Sequence, residues 1–302
     1  MEAFPSNQQA FDALAASEEE CRAYLASIRW RDGFVCPWCG HNQVWKLGNG
    51  WYQCGRCRKR VSVTSGTLFH DTRYPLRVWF QAIWYVTGEK HGASALGLQR
   101  LLGLGSYHTA WAWLHRLRRA MVRPGRERLR GTVQVDETFW GGERPGKRGR
   151  GAGGKAMILV AVEHTGQRLG RIRLVRIPNI RRETLVETLR SLVEPGHCIE
   201  TDGLSAYLAV AEAGYQHRVL RAETRDELLP QVQLVVSLLK RWLLGTHQGA
   251  VQASHLDYYL DEFTFRFNRR TSHSRGLLFR RVLEHAVQLA PVRECDLRAK
   301  TR

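Results

Sequence analysis

Four cysteines and two aspartates are the residues whose type and spacing best support chemistry. Cys36 and Cys39 sit in CPWCG, and Cys54 and Cys57 in CGRC, with fourteen residues between the pairs. Each Cys-x2-Cys pair can turn tightly enough to aim both sulfurs at one point, and two such turns make a closed tetrahedral zinc site. A site closed by four thiolates has no open position, so its Zn2+ would be structural. The segment around it is too short for a core of its own, so metal binding would supply its folding energy. The remaining readings are four packed or redox-active thiols, or a ligand role for His41 or His70. The two carboxylates are Asp136, in VQVDETFWGG, and Asp202, 66 residues later in CIETDG. Acids at the ends of apolar strands are unusual, because carboxylates avoid burial unless paired or holding a metal. Brought together they would bind Mg2+ or Mn2+ through hard oxygen ligands, and two such metals could serve phosphoryl transfer. Left apart they are two solvated loop acids.

The elements that must position these groups differ along the chain. Residues 1–30 read as a helical lead-in, with Phe11, Leu14, Cys21, Tyr24, Leu25 and Ile28 at helical spacing. Residues 31–66 hold the paired cysteines in a short, glycine-dotted stretch that also contains Trp38, Trp45, Trp51, Arg56, Arg58, Lys59 and Arg60. Interleaved bases and aromatics fit nucleic-acid contact; equally, the aromatics pack the ribbon and the charges are solvated. Residues 67–125 return to helix. ASALGLQRLL, the turn GLGS and a second helix capped by Ser106 make a helix-turn-helix, which would place its second helix in the DNA major groove. Tyr107, His108, Arg116 and Arg119 are its candidate DNA contacts, although many helical hairpins bind nothing. Pro124-Gly125 reads as a linker.

From 126 to 302 the texture becomes α/β. Strands are expected in QVDETFWGG, KAMILVAVEH, RIRLVRIPN, HCIETDG and HRVLRAET, and helices over 182–193, 204–214 and most of the chain after Leu229. Such an order predicts a mixed sheet with helices on its faces. Asp136 and Asp202 would lie on neighbouring strand ends. Glu137 would point to the opposite face of its strand. The loop 141–155 carries Arg144, Lys147, Arg148, Arg150 and Lys155 against one acid. It is either a clamp for DNA phosphates or a basic hairpin tip.

Composition agrees with a polyanionic partner. The 302 residues include 46 basic and 28 acidic side chains, a net charge of +18, and the pI is about 10.2. That balance is the electrostatic footprint of a protein working on nucleic acid. Ten tryptophans and 43% hydrophobic residues argue for a sizeable core and against a ribosomal-type or disordered chain. The longest apolar run is the seven residues Ala156–Val162, far short of the ~20 a bilayer span requires. Seven cysteines and an N-terminus reading MEAFPSNQQ predict a reducing, cytoplasmic setting without a signal peptide.

The ribbon, the helix-turn-helix, VDETFWGG, ETDG and SLLKRWLLGTHQG…HLDYYLDEFTFRFNRR together resemble bacterial insertion-sequence transposases of the ISXO-like kind, from WRDGFVCPWCG to FNRR. These are DDE-type enzymes with an N-terminal zinc ribbon and a ribonuclease-H-like catalytic domain. By that resemblance Asp136 and Asp202 are the first and second catalytic aspartates, and Lys240 is the lysine that follows the third position by seven residues. The third position then falls on Gln233, a departure from the family's Glu, Asn or His. A Gln carbonyl can ligate Mg2+ but supplies no charge, and Glu223, Glu227 and Glu262 are candidates to compensate. Glu262 is better placed to order its helix with Arg266 and Arg269. Lys240 would contact a DNA phosphate, and His247 would be structural or a DNA contact. The resemblance implies binding of terminal inverted repeats, metal-dependent end cleavage and strand transfer, and a homo-oligomer on DNA in the bacterial nucleoid. The alternative is a weakened or repurposed transposase that only binds DNA; a ribbon-bearing nuclease that nicks without strand transfer shares every residue.

Overall fold

The computed structural model describes residues 4–123, 125–141, 155–221 and 228–298. The chain divides into two compact units, Met1–Pro124 with Ser272–Arg302, and Gly125–Thr271.

The first unit opens with helices α1 (Gln8–Leu14) and α2 (Glu18–Arg29). Ser17 starts α2 with a reciprocal capping box, its side chain accepting from the Glu20 N–H while Glu20 returns to the Ser17 N–H. Strands β1 (Val44–Lys46), β2 (Trp51–Cys54) and β3 (Arg60–Ser62) form an antiparallel sheet carrying the paired cysteines. Helices α3 (Leu76–Gly88), α4 (Ala95–Leu102) and α5 (Tyr107–Ala120) follow. No side chain of its own caps α3. Instead the Glu18 carboxylate, brought from α2, accepts the N–H groups of Leu76 (3.0 Å) and Arg77 (3.1 Å) and so satisfies donors every helix start leaves open. Trp79 and Trp113 stack at 3.6 Å between α3 and α5.

The second unit is built on a five-stranded sheet of order β6-β5-β4-β7-β8. Its strands are β4 (Thr132–Trp140), β5 (Ala156–Thr165), β6 (Arg168–Ile177), β7 (Cys198–Thr201) and β8 (Gln216–Val219). The first three run antiparallel; β7 and β8 are parallel to β4. Helices α6 (Arg182–Leu192) and the short α7 (Ala209–Glu212) cover one face, where Val133, Val135, Leu185, Leu189 and Tyr207 are buried together. Helices α8 (Pro230–Gly245) and α9 (Leu256–Asn268) cover the other, over Trp140, Val160, Val232, Leu239 and Phe263. Because both faces of β4 are buried, its alternate residues divide between two cores. This is the expected ribonuclease-H-like mixed sheet with helices on its faces.

The chain end differs from the sequence expectation of one domain over 126–302. Helices α10 (Arg275–Ala286) and α11 (Glu294–Arg298) belong to the first unit. The reason is Phe279, fully buried among Phe11, Phe80 and Trp84 at 5.5–5.8 Å. The Arg275 guanidinium adds hydrogen bonds to the Trp84 carbonyl. An amphipathic helix declares an apolar face but not which core it joins.

Candidate active site and zinc centre

Asp136 occupies the fifth position of β4, so strand alternation sends it to the α8 face and Glu137 to the α6 face. The side chain of Asp136 is buried, 3% exposed. Its Oδ1 accepts from the Glu137 N–H at 2.8 Å, and its Oδ2 from Gln233 Nε2 at 3.1 Å. Glu137, equally buried, accepts from the Tyr207 hydroxyl at 3.2 Å on the other face.

Asp202 lies one residue beyond β7. The parallel ladder pairs Thr132 with Cys198, Val133 with Ile199 and Gln134 with Glu200. Two residues on from that last pair stand Asp136, still in the middle of β4, and Asp202, just past the end of β7. Only Asp202 lies at a strand end as expected, because β4 continues to Trp140 in its pairing with β5. Gly203 follows at φ +80°, a conformation that favours glycine, and an added Cβ would come within 2.8 Å of a Val219 methyl. The turn lets Asp202 Oδ1 accept the Leu204 N–H at 3.0 Å. The Tyr207 hydroxyl reports the crowding: burial first, then the charges of Glu137, Asp136 and Asp202, push its pKa well above the usual value.

What delivers Gln233 to Asp136 is a polar cluster that sequence reasoning missed. Glu200, 5% exposed, accepts from Gln134 Nε2 (3.3 Å), contacts His164 Nε2 (3.0 Å) and pairs with Arg218 (3.0 Å). Gln134 Oε1 accepts the Gln231 N–H at 3.2 Å, and Gln231 Nε2 donates to the Gly166 carbonyl at 3.1 Å. The first turn of α8 is thereby pinned to β4 and to the β5–β6 turn, two residues before Gln233. A signal was present: in CIETDG, Glu200 is a second acid two residues before Asp202.

Lys240 is exposed on α8, two turns beyond Gln233. His247 packs edge-on against Trp242 (4.6 Å) and Tyr259 (4.8 Å). Glu262, 1% exposed, accepts two hydrogen bonds from Arg266 within α9, at 2.7 and 2.9 Å, the helix-ordering contact expected of it. Arg144, Lys147, Arg148 and Arg150 lie outside the described residues, as do Glu223 and Glu227.

In the first unit the four cysteine sulfurs all lie within 4.8 Å of one another. Cys36 and Cys57 stand 3.7 Å apart, and Cys39 and Cys54 3.5 Å. Four sulfurs at ~2.3 Å from one zinc stand about 3.8 Å apart in a tetrahedron, so the donor set and its spacing fit Zn2+. Burial opposes ionisation of Cys54, but the backbone N–H groups of Cys57 and Arg56 and the neighbouring thiols outweigh it and lower its pKa, while burial pushes the adjoining Cys36 thiol up to about 11. Trp30 packs on Tyr52 at 4.7 Å inside the ribbon. Trp38, Trp45 and Trp51 remain 44–48% exposed, with Lys59 over Trp38 and Arg58 over Trp45.

The helix-turn-helix forms as α4, Gly103 at φ +61° and α5, with Ser106 accepting from the His108 N–H. Tyr107 and Arg119 are exposed; His108 stacks near Trp111 at 5.4 Å. Arg116 donates to the Val292 carbonyl at 3.0 Å, which ties it to the chain end.

Comparison with known proteins agrees with both units. Residues 128–268 match the family of ISXO2-like transposase domains, and residues 16–60 match the transposase zinc-ribbon domain. A Halobacterium salinarum protein, described as an uncharacterised protein in transposable element ISH50, is 29% identical over 285 residues, covering 83% of this chain and 90% of that one. Among solved structures, a chain of a simian T-cell lymphotropic virus intasome in complex with the PP2A regulatory subunit B56 gamma matches 70% of this chain and 76% of its own, at 15% identity and a TM-score of 0.33. A likeness that weak carries no argument. No helix among the described residues is long and apolar enough to cross a membrane.

Proposed function

Because the chain belongs to the ISXO2-like transposases, we propose that it binds the terminal inverted repeats of a bacterial insertion sequence, cleaves the element's ends and transfers them to target DNA. The observation supporting this reading is the parallel ladder that pairs Gln134 with Glu200, two residues before Asp136 and Asp202, with the Gln233 amide on Asp136. Asp136 and Asp202 would hold Mg2+ or Mn2+, and Gln233 could turn its amide to present Oε1 as a neutral ligand. When bound, the metal would neutralise charge on the attacked phosphate and favour ionisation of the attacking hydroxyl. In the first step water attacks phosphorus and the bond to the 3′-oxygen breaks, leaving a 3′-hydroxyl and a 5′-phosphate. In the second step that 3′-hydroxyl attacks a target phosphodiester, and the target's own 3′-oxygen leaves. Both displacements demand positioning and charge neutralisation more than covalent chemistry.

The chain's other groups have supporting parts. Lys240 would meet a DNA phosphate as a point charge. Tyr107, His108, Arg116 and Arg119 on α5, with the ribbon, would read the end sequence. Arg144, Lys147, Arg148 and Arg150 would clamp phosphates. Two ends must be synapsed, so the working form would be a homo-oligomer on DNA in the nucleoid.

One observation favours a second reading. Gln233 donates to Asp136 where the family's usual acid would bring charge to a metal, which suits a chain that binds DNA without cutting it. Mg2+-dependent cleavage and strand transfer on an element end would decide between the two, comparing the native chain with Gln233→Glu and Asp136→Asn. Native activity lost in Asp136→Asn establishes the enzyme. Activity only in Gln233→Glu establishes the DNA-binding reading. If the folded, end-binding protein is inactive in all three forms, the site assignment fails.

A further inference from the structure

Three exposed aromatic side chains of the first unit gather at one place. Trp38, Trp51 and Tyr74, 46%, 44% and 37% exposed, line a single cavity of about 620 Å3. Its volume falls in the range of pockets that enclose a small molecule. Arg60 and Arg73 line it too, and neither makes an ion pair with another described residue. Of the two acids at its wall, Glu18 is already committed: its carboxylate caps α3 and lies 3.5 Å from Arg22. Asp71 sits 3.5 Å from His70. What the cavity offers a ligand is therefore flat aromatic surface beside two uncommitted guanidiniums. A nucleotide combines the matching features, a π-face for the indole and an anionic phosphate for the arginine fork. In a duplex the bases face one another, so only an unstacked base can reach these walls.

We propose that this cavity holds one unstacked nucleotide of a DNA strand, its base against Trp38 or Trp51 and its phosphate on Arg60 and Arg73. The inference rests on DNA being the partner proposed above and adds a site for a single-stranded residue. It gives the exposed tryptophans a role separate from groove reading by α5. It also explains why Trp51 stays exposed beside Tyr52, whose ring packs inward on Trp30.

The test uses the full zinc-loaded chain and an eight-nucleotide oligothymidylate with 2-aminopurine at its centre, whose emission falls on stacking. Binding with quenching is expected, and Trp51→Ala should weaken it roughly ten-fold, the usual loss for one stacked base. Trp45→Ala is the control, because Trp45 is 48% exposed on the same sheet but outside the cavity. That variant should keep the quenching and lose clearly less affinity than Trp51→Ala. Arg73→Gln, outside the ribbon, should lower the slope of log affinity against log salt by about 0.7, one phosphate of a single strand. Equal losses in Trp45→Ala and Trp51→Ala would overturn the cavity in favour of general surface contact. Undiminished binding in Trp51→Ala and Arg73→Gln, with duplex DNA still bound, would overturn it and leave DNA as partner. Free deoxyadenosine monophosphate competing at the oligonucleotide's own concentration would overturn it in favour of a mononucleotide site. Failure to bind either single-stranded or duplex DNA would refute this inference together with the DNA reading beneath it.

Discussion

Replacing Gln233 by Glu tests the geometry of the site without any DNA. The amide donates to Asp136 Oδ2 at 3.1 Å, and Asp136 is 3% exposed. Gln233→Glu removes that donor and sets a second carboxylate against the first. The lost charge-assisted hydrogen bond is worth about 1.5–3 kcal/mol. Repulsion between two charges about 4 Å apart is of order 4 kcal/mol at the effective dielectric of such sites. The pair has an escape, since one carboxyl can take a proton, which at pH 7 costs about 3.7 kcal/mol for an ordinary Glu. The captured proton restores a donor to Asp136 and replaces the lost hydrogen bond, so the metal-free variant should lose about the 3.7 kcal/mol of protonation, or roughly 7–15 °C in Tm for a unit of this size. The sign of the pH dependence follows. The protonated pair has a folded pKa above the unfolded value near 4.3, so the folded state binds more protons and the deficit grows as pH rises from 5 to 8. Mg2+ should recover most of it, because a site filled at about 100 times its Kd returns about 2.7 kcal/mol. Differential scanning calorimetry in EDTA and in Mg2+, at pH 5 and pH 8, measures all three effects. A variant as stable as the native chain in EDTA, with no response to pH or Mg2+, would show that Gln233 does not face Asp136 and would refute the site.

Tyr207→Phe removes the hydroxyl that donates to Glu137, a carboxylate 3% exposed, and should cost about 1–3 kcal/mol in chemical denaturation. Burial would raise the pKa of Glu163, but the Arg171 guanidinium and the N–H groups of Arg130 and Arg171 hold it below the ordinary value. Its contribution is present above about pH 4.5 and is lost as pH falls through the depressed folded pKa, so Arg171→Ala should destabilise at pH 7 with a deficit that shrinks in acid. Thiol labelling followed by mass spectrometry should find Cys295 modified first in the zinc-loaded chain, and Cys36, Cys39, Cys54 and Cys57 only after chelation. Cys21 should stay protected, since burial and then the charge of Glu18 push its thiol up to about 12. Rapid labelling of all four ribbon cysteines before chelation would refute the zinc site.

Much of this architecture was legible from spacing alone. Two Cys-x2-Cys turns can converge in only a few ways, and the sulfurs do converge. Strand alternation sufficed to send Asp136 and Glu137 to opposite faces. The assignment of Asp136 and Asp202 to one site came only from a motif match. Their 66-residue separation acquires physical meaning once Gln134 is known to pair with Glu200, and register is a property of two strands that neither carries alone. Glu200 and His164 were missed for the same reason, since their contact joins β7 to β5 across 36 residues. The cavity walled by Trp38, Trp51 and Tyr74 was illegible because Tyr74 comes from outside the ribbon. The membership of 272–302 was illegible because hydrophobic periodicity identifies a face and not its partner.

The same hydrogen bonds suggest why glutamine is tolerable at position 233. A buried carboxylate without a partner is costly, and one facing a second carboxylate is costlier still unless a cation intervenes. Both oxygens of Asp136 are already partnered, by the Glu137 N–H and the Gln233 amide, so this site can close without a divalent ion. An acid at 233 would make the fold depend on metal or on a captured proton. The amide removes that dependence and also removes one negative charge from the metal's surroundings, so metal affinity should fall as metal-free stability rises. Stability and ion affinity are thus opposed at one side chain, and Gln233→Glu should move them in opposite directions. A variant that gained both, or lost both, would mean that Asp136 is stabilised by something other than the amide it faces.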